Sequence, residues 1–459
     1  MFHLMRAGLL LILVTATASA QERAPGPLTL DQAVDYALGH HPALQADASV
    51  EEARRAQVAV GRAAYLPSVD LSLQINVGTG NVLRGAVYPM PDIPFVSGPP
   101  TGRSGSDAAL GTMVSLGARW DALGLVQKMA LVDAALADAA QAHAAVEARW
   151  LAVAYAAADQ FLDVIARAET VRSARATVDR GRVFDTIVEA LTKQELRPGA
   201  DASRAQAELA LAATQLIRAE QAEAVSRTQL AQTLGIAGAR IDVVPGNLLA
   251  PAAVPVEPKT KHPLVVEAEA AEHAARAKKH AVELAYLPRL DLFASLWMRG
   301  SGLTSGTVPP SPGDGIVPDT PNWVGGLVLS WPAVELVTVR ARARVEAAQV
   351  KVADARKREV MQAVQTQIDS AREILDAARK EAANTPIALK AAQAAEAQAT
   401  ARYRAGLATV VEVAEAQRLL AQAEIEDAVA RLNVRRSELL LARAVGDLGP
   451  FLDSVRGGR

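Results

Sequence analysis

Ser68 to Val77 (SVDLSLQINV), introduced by Tyr65-Leu66-Pro67, decides how the rest of this 459-residue chain is read. Ser68, Asp70, Ser72, Gln74 and Asn76 alternate strictly with Val69, Leu71, Leu73, Ile75 and Val77. A period of two is a β-strand with one polar and one apolar face, and about ten residues suits a strand tilted across a bilayer. The apolar face then meets lipid, and the polar face lines a water-filled lumen.

A second such stretch follows Tyr286-Leu287-Pro288. Leu290, Leu292, Ala294, Leu296 and Met298 share one side; Arg289, Asp291, Ser295 and Arg299 share the other, with Phe293 and Trp297 out of pattern. Return strands are expected over 112–119 and 324–330, giving β-hairpins within 67–119 and 288–331. The stretches between, 78–111 and 300–322, are rich in Gly, Pro and Ser and read as long loops on the far side of the membrane. Tyr65, Pro67, Trp120, Tyr286, Pro288 and Trp331 fall where strands meet helices, and the aromatics among them make half of a membrane girdle. Four strands cannot close around a lumen, and lipid tolerates no open edge. Copies of the chain must therefore meet these edges. Three copies supply twelve strands around water, whereas two supply eight and an interior filled by side chains.

Outward from the strands, the chain repeats itself. His41-Pro42 recurs as His262-Pro263, and Tyr65-Leu66-Pro67 as Tyr286-Leu287-Pro288, both 221 residues on. Each half reads helix, strand, strand, long helix, helix. The long helices are expected over 125–196 and 334–403, each about 100 Å at about 1.5 Å per residue. Shorter helices are expected over 30–63, 202–234, 264–284 and 408–445. The simplest packing stacks each short pair end to end beside its long helix. The organisation is thus a signal peptide (1–20), a first repeat (21–242), a proline-rich linker (243–260), a second repeat (261–447) and a C-terminal tail (448–459).

Residues 1–20 carry Arg6, the apolar run Leu9 to Val14 and Ala18-Ser19-Ala20, the pattern of a secretory leader cut after Ala20. No later stretch reaches 18 apolar residues. Without cysteine, disulfides, thiolate chemistry and a lipid anchor on the mature N-terminus are excluded. A net charge of -2 gives no footprint for nucleic acid. There is no phosphate loop and no His-x-x-x-His pair. His41 and His262 read as caps before proline, and His273 and His280 as a solvated helix face. No cofactor, no metal site and no catalytic residue is expected.

The whole mature chain resembles the TolC-like outer membrane efflux protein family. The resemblance is carried by Leu28-Thr29-Leu30-Asp31-Gln32-Ala33-Val34 followed by His41-Pro42, by the two Tyr-Leu-Pro motifs, and by Tyr403-Arg404-Ala405-Gly406-Leu407-Ala408-Thr409 continuing through Glu412-Val413 to Ala416-Gln417. It implies a mixed α/β membrane protein in which a homotrimer forms a 12-stranded β-barrel, four strands per chain, continued by a long periplasmic α-helical barrel. It also implies a passive exit duct in the outer membrane of a Gram-negative cell, fed by an inner-membrane pump of RND, ABC or major-facilitator (MFS) type through a periplasmic adaptor. The adaptor would dock on the turns Arg197, Pro198, Gly199, Ala200, Asp201 and Arg404, Ala405, Gly406, Leu407, Thr409. Beside that implication, Gly199 and Gly406 are expected to end helices in the left-handed conformation, and Asp201 and Thr409 to cap the next ones. The first turn has Pro198 where the second has Ala405, so the two are not equivalent. The rival reading, a periplasmic coiled-coil adaptor or scaffold, predicts no amphipathic strands. An autonomous porin-like pore predicts far fewer helices.

Overall fold

The computed structural model describes residues 26–79, 108–195, 198–246, 248, 261–301, 315–331 and 335–456. It divides into two compact units, one of residues 46–148 and 261–363, the other of residues 1–45, 149–260 and 364–459.

The first unit is built on a four-stranded antiparallel sheet in sequential order: β1 (Ser68–Thr79), β2 (Ala108–Asp121), β3 (Arg289–Ser301) and β4 (Thr320–Ser330). The register runs through all three pairings without a bulge, so the faces never exchange. Leu71, Leu116, Leu296 and Trp323 stand abreast as one row. This apolar face looks outward, with Leu71 77% and Trp323 78% exposed. On β3 the apolar residues Leu292, Ala294, Leu296 and Met298 are exposed while Phe293, Ser295 and Trp297 opposite are half-buried. Both aromatics that broke the sequence alternation therefore lie on the polar face. Phe293 covers the flanking strand there: a Cβ on Gly326 would come within 2.7 Å of its ring. That packing gives Phe293 a structural reason for its position.

Helix α2 (Pro42–Ala63) and α3 (Leu125–Lys193) contact each other in this unit through Val58, Val132 and Ala139. Gly61 permits the approach, since a Cβ there would sit 3.0 Å from Val132. Ion pairs tie the remaining helices. Lys278 on α5 (Pro263–Glu283) reaches Asp138 at 2.8 Å, and Lys357 on α6 (Leu336–Arg404) reaches Glu272 at 2.7 Å.

The second unit packs α1 (Leu30–His40), the rest of α3, α4 (Gly199–Thr233), α7 (Val410–Val445) and α8 (Gly449–Arg456) around Leu30, Phe161, Leu230, Leu439 and Phe451. The C-terminal tail is thus partly helical, and Arg456 pairs with Asp35 at 3.1 Å. Of the linker, only residues 243–246 and 248 are described. Val243 makes a single parallel bridge with Leu28, and Arg435 holds the Leu248 carbonyl at 3.4 Å. Beneath that bond Glu438 lies buried between Arg435 at 3.2 Å and Arg379 at 3.6 Å, and burial pushes its carboxyl above the ordinary range.

The structure corrects two expectations. The helix expected over 30–63 is broken at His41, whose ψ of 122 is extended. Proline excludes the preceding residue from the helical region, and the His41 Nδ1 accepts the Ala43 amide at 3.2 Å as a local cap. His262 does the same for Leu264 ahead of Pro263. The second correction concerns Gly199 and Asp201. Gly199 is the first residue of α4, not a left-handed helix end, and the N-cap is Pro198 rather than Asp201. The left-handed residue is Glu195, at φ 60.

That correction exposes the register of the duplication. Helices α3 and α6 are both 69 residues long and begin 211 residues apart. At the same offset Trp120 matches Trp331, Glu195 matches Gly406 (φ 78), Pro198 matches Thr409, and Gly235 (φ 81) matches Gly446 (φ 90). The glycine helix ends close alike. Leu407 N donates to Arg402 O at 2.9 Å, and Ile236 N and Asp447 N donate to the carbonyls of Ala231 and Ala442 at 3.0 Å. A non-glycine residue at Glu195 is strained by about 1 kcal/mol or more. Replacing it, Glu195→Gly, is expected to raise the thermal unfolding temperature of the detergent-extracted protein, and Gly406→Ala to lower it. A drop with Glu195→Gly would show that the acidic side chain itself holds the turn.

Candidate functional site: helix tips, sheet–helix junction and polar sheet face

The α6–α7 tip is the most tightly organised of the three regions. Residues 402–407 close α6 with the six-residue hydrogen bond above, and Gly406 N donates to Tyr403 O at 3.0 Å. Thr409 and Glu412 then form a reciprocal capping box: Glu412 N to Thr409 Oγ1 at 3.3 Å, Thr409 N to Glu412 Oε1 at 3.1 Å. Arg402 donates to the Leu407 carbonyl at 3.2 Å and approaches Glu412 at 3.8 Å. Leu407 is left 71% exposed at the apex, with Arg404, Ala405 and Gly406 also exposed and Ala408 turned inward.

Inside the tip Tyr403 is fully buried, edge-on to Phe184 at 5.2 Å, among Val188, Ala205, Val410 and Val413. Its hydroxyl reaches Asp201 Oδ2 at 3.5 Å. Sequence reading placed Tyr403 and Asp201 in separate motifs; the fold brings them together. Pro198, Gly199 and Ala200 are exposed at the α3–α4 turn, which has no side-chain cap, and Arg197 lies outside the described residues. Lys193 donates to Glu189 at 2.7 Å in the last turn of α3 and holds that carboxyl below the ordinary range.

At the sheet–helix junction the duplicated aromatics are bonded to each other. Trp120 Nε1 donates to the Tyr65 carbonyl at 2.9 Å, and Trp331 Nε1 to the Tyr286 carbonyl at 3.2 Å. Each bond clamps the start of a long helix to the chain entering its hairpin. Pro67 and Pro288 follow immediately and end the helical turns. The sequence located these four aromatics but gave no signal for the clamp, because a backbone carbonyl acceptor leaves no trace in residue type.

On the polar sheet face Ser68, Asp70, Ser72 and Gln74 share one side of β1. Ser72 and Ser115 hydroxyls meet at 2.6 Å and Ser68 donates to the Arg119 carbonyl at 3.3 Å, while Asp70 is exposed. Asn76 keeps register opposite Gly111; its side chain lies outside the described residues. None of these regions carries a nucleophile poised against a base, and no cluster able to hold a metal ion occurs among the described residues. Trp120→Phe should cost about 1 kcal/mol by orphaning the Tyr65 carbonyl, and Trp331→Phe less because that site is exposed. Thermal melts of the two variants in detergent check the order; equal or absent losses would remove the clamp from the account.

The chain is similar in fold to a membrane protein from Pseudomonas aeruginosa, at 20% identity over 91% of this chain and 92% of that one, with a TM-score of 0.76. It is likewise similar to the CmeC outer membrane channel of Campylobacter jejuni (14% identity, 94% and 89% covered, TM-score 0.75). A third likeness is to the outer membrane protein VceC of Vibrio cholerae (15% identity, 91% and 96% covered, TM-score 0.72). No curated protein matches the sequence. Residues 255–447 match the model of the outer membrane efflux protein family. That match falls in the second repeat, and the fold is shared with these outer membrane proteins over nine-tenths of the sequence.

Proposed function

We propose that this chain is one subunit of a homotrimeric exit duct in the outer membrane, a passive channel for cargo delivered by an inner-membrane pump through a periplasmic adaptor. The observation that carries the reading is the sheet. Its apolar face exposes Leu71, Leu116, Leu296 and Trp323 in one row across all four strands, and among the described residues neither β1 nor β4 pairs along its outer edge. An apolar sheet face in water would be an aggregation surface, whereas in lipid it is a wall. Lipid in turn demands that the open edges be paired, and β4 of one copy against β1 of the next pairs both. Three copies give twelve strands, with Ser68, Asp70, Ser72, Gln74 and Asn76 toward the lumen.

The helix tips are the adaptor-docking surface in this reading, made of residues 197–201 and 404–409. The support is the exposed, rigidly held Leu407 at the apex of a capped turn: an apolar anchor whose loop is already ordered binds at a smaller entropic cost. The pump can be of RND, ABC or MFS type, and the duct needs no cofactor and no nucleic acid.

Replacing Gly406 and Leu407 together by bulky charged residues is expected to abolish drug or metal resistance in cells while leaving the trimer intact on a native gel. Export that survives this change would remove docking from the α6–α7 tip. Electron microscopy of the detergent-extracted protein is expected to show threefold particles with a detergent belt; a beltless soluble particle would favour the adaptor reading.

A further inference from the structure

The first turns of α6 carry Arg340, Arg342 and Arg344, all exposed, and among the described residues no ion pair engages any of them. Helix stability does not explain them. They lie in the second and third turns, beyond the reach of the helix-end dipole and of Glu335 ahead of the first turn, and no ion pair among the described residues of the helix uses them. The repeat does not require them either. At the 211-residue offset the same positions of α3 are Met129, Leu131 and Asp133.

Their position in the fold supplies the reason. Helix α6 starts at Leu336, six residues after Ser330, the last residue of β4, and five after Trp331, whose indole is clamped to Tyr286. Above that level the sheet exposes Leu327, Leu329 and Trp323; at it lie the exposed rings of Tyr286 and Trp331. Aromatic rings of this kind mark the headgroup level of a membrane. With a rise of about 1.5 Å per residue, Arg340 to Arg344 lie roughly 6–12 Å along the helix from Leu336. Side chains on a helix lean toward its N-terminus, here back toward the sheet, and an arginine stem is long enough to bring its guanidinium up to that level. Val339 and Ala343 form the inward side, so Arg340 and Arg344 share one flank and Arg342 takes the other. Exposed Val337 and Val345 lie between them.

We propose that Arg340, Arg342 and Arg344 bind the phosphates of anionic phospholipids in the periplasm-facing leaflet, one cluster per subunit. The proposal rests on the outer-membrane reading above. Guanidinium groups match phosphate oxygens in forked hydrogen bonds, and each basic side chain at an anionic surface strengthens binding roughly fivefold. The occupant is a lipid rather than a second protein because the apolar sheet face, the aromatic level and the cluster follow one another along a single wall.

The test uses the detergent-extracted full-length protein, native and Arg340→Gln/Arg342→Gln/Arg344→Gln, reconstituted in nanodiscs of phosphatidylcholine alone or of equal phosphatidylcholine and phosphatidylglycerol. Both proteins are expected to insert in both lipids with equal unfolding temperatures in phosphatidylcholine. Phosphatidylglycerol is expected to raise the native protein's unfolding temperature by several degrees and the variant's hardly at all. Insertion in both lipids with no phosphatidylglycerol effect on the native protein would overturn the proposal and leave the channel reading standing. An equal rise in both proteins would also overturn it, since the arginines would not be the cause. Failure of the native protein to insert in either lipid would overturn the outer-membrane reading and the proposal together. Should the triple variant unfold early in phosphatidylcholine, Arg340→Lys/Arg342→Lys/Arg344→Lys replaces it. That variant keeps the charge but loses the fork, and is expected to retain a smaller phosphatidylglycerol effect; an undiminished or absent effect would overturn the role of guanidinium and phosphate.

Discussion

Unpaired backbone at the two edges of a four-stranded sheet is the constraint on which the rest of the molecule depends. Each amide and carbonyl along the outer edges of β1 and β4 would cost several kcal/mol if left bare in hydrocarbon. The sheet cannot meet that cost by curling on itself, because four strands enclose nothing. Nor can it hide, because an exposed apolar row crosses all four strands. The same sheet is free of bulges, which keeps every apolar row aligned from β1 to β4 and leaves both edges straight. A straight, open edge is a hazard in a soluble monomer and a requirement in a subunit of a closed wall.

What the two halves keep in common follows from backbone needs. The clamp tryptophans, the left-handed residue after each long helix, the five-residue spacing between that helix and the next and the glycine ending the next helix all recur at one offset of 211. Upstream of the hairpins the offset is 221. The ten-residue difference falls within the hairpins, between the Tyr-Leu-Pro motifs and the tryptophans, where added length costs little because loop-closure entropy grows only slowly. Side chains that do no backbone work have diverged: Met129, Leu131 and Asp133 stand where the second half has three arginines.

Strands and helices were legible because each has its own period. The alternation from Ser68 fixed β1 to its first residue, and the long helices came out within three residues of their ends. The return strand begins at Ala108, four residues ahead of the expected Thr112, and Ala108-Ala109-Leu110-Gly111 carries no alternation to mark it. The break at His41 was signalled by Pro42, yet uninterrupted alanine-rich periodicity on both sides concealed it. Pro386 is the converse case: a proline that does not end its helix, since α6 continues past it, with Thr385 donating to Asp427 on α7 at 3.1 Å. Of the site, the turns were legible as glycine-containing punctuation, but their internal chemistry was not. Matching Pro198-Gly199 with Ala405-Gly406 looked natural from residue type. The structure aligns Glu195 with Gly406 instead, and no propensity rule would have put a glutamate in the left-handed region.

The two tips therefore differ in a way that bears on any partner that touches both. At the α6–α7 tip glycine occupies the left-handed position without strain, and Thr409 with Glu412 satisfies the first amides of α7. At the α3–α4 tip a glutamate bears the strain, and Pro198 offers no capping side chain. Each difference is worth about 1 kcal/mol. The shared Tyr403 to Asp201 contact, made between the tips at 3.5 Å, is too long to cancel that sum. The α3–α4 tip is thus the less stably closed of the two, and a partner ordering both tips would meet the larger ordering cost there.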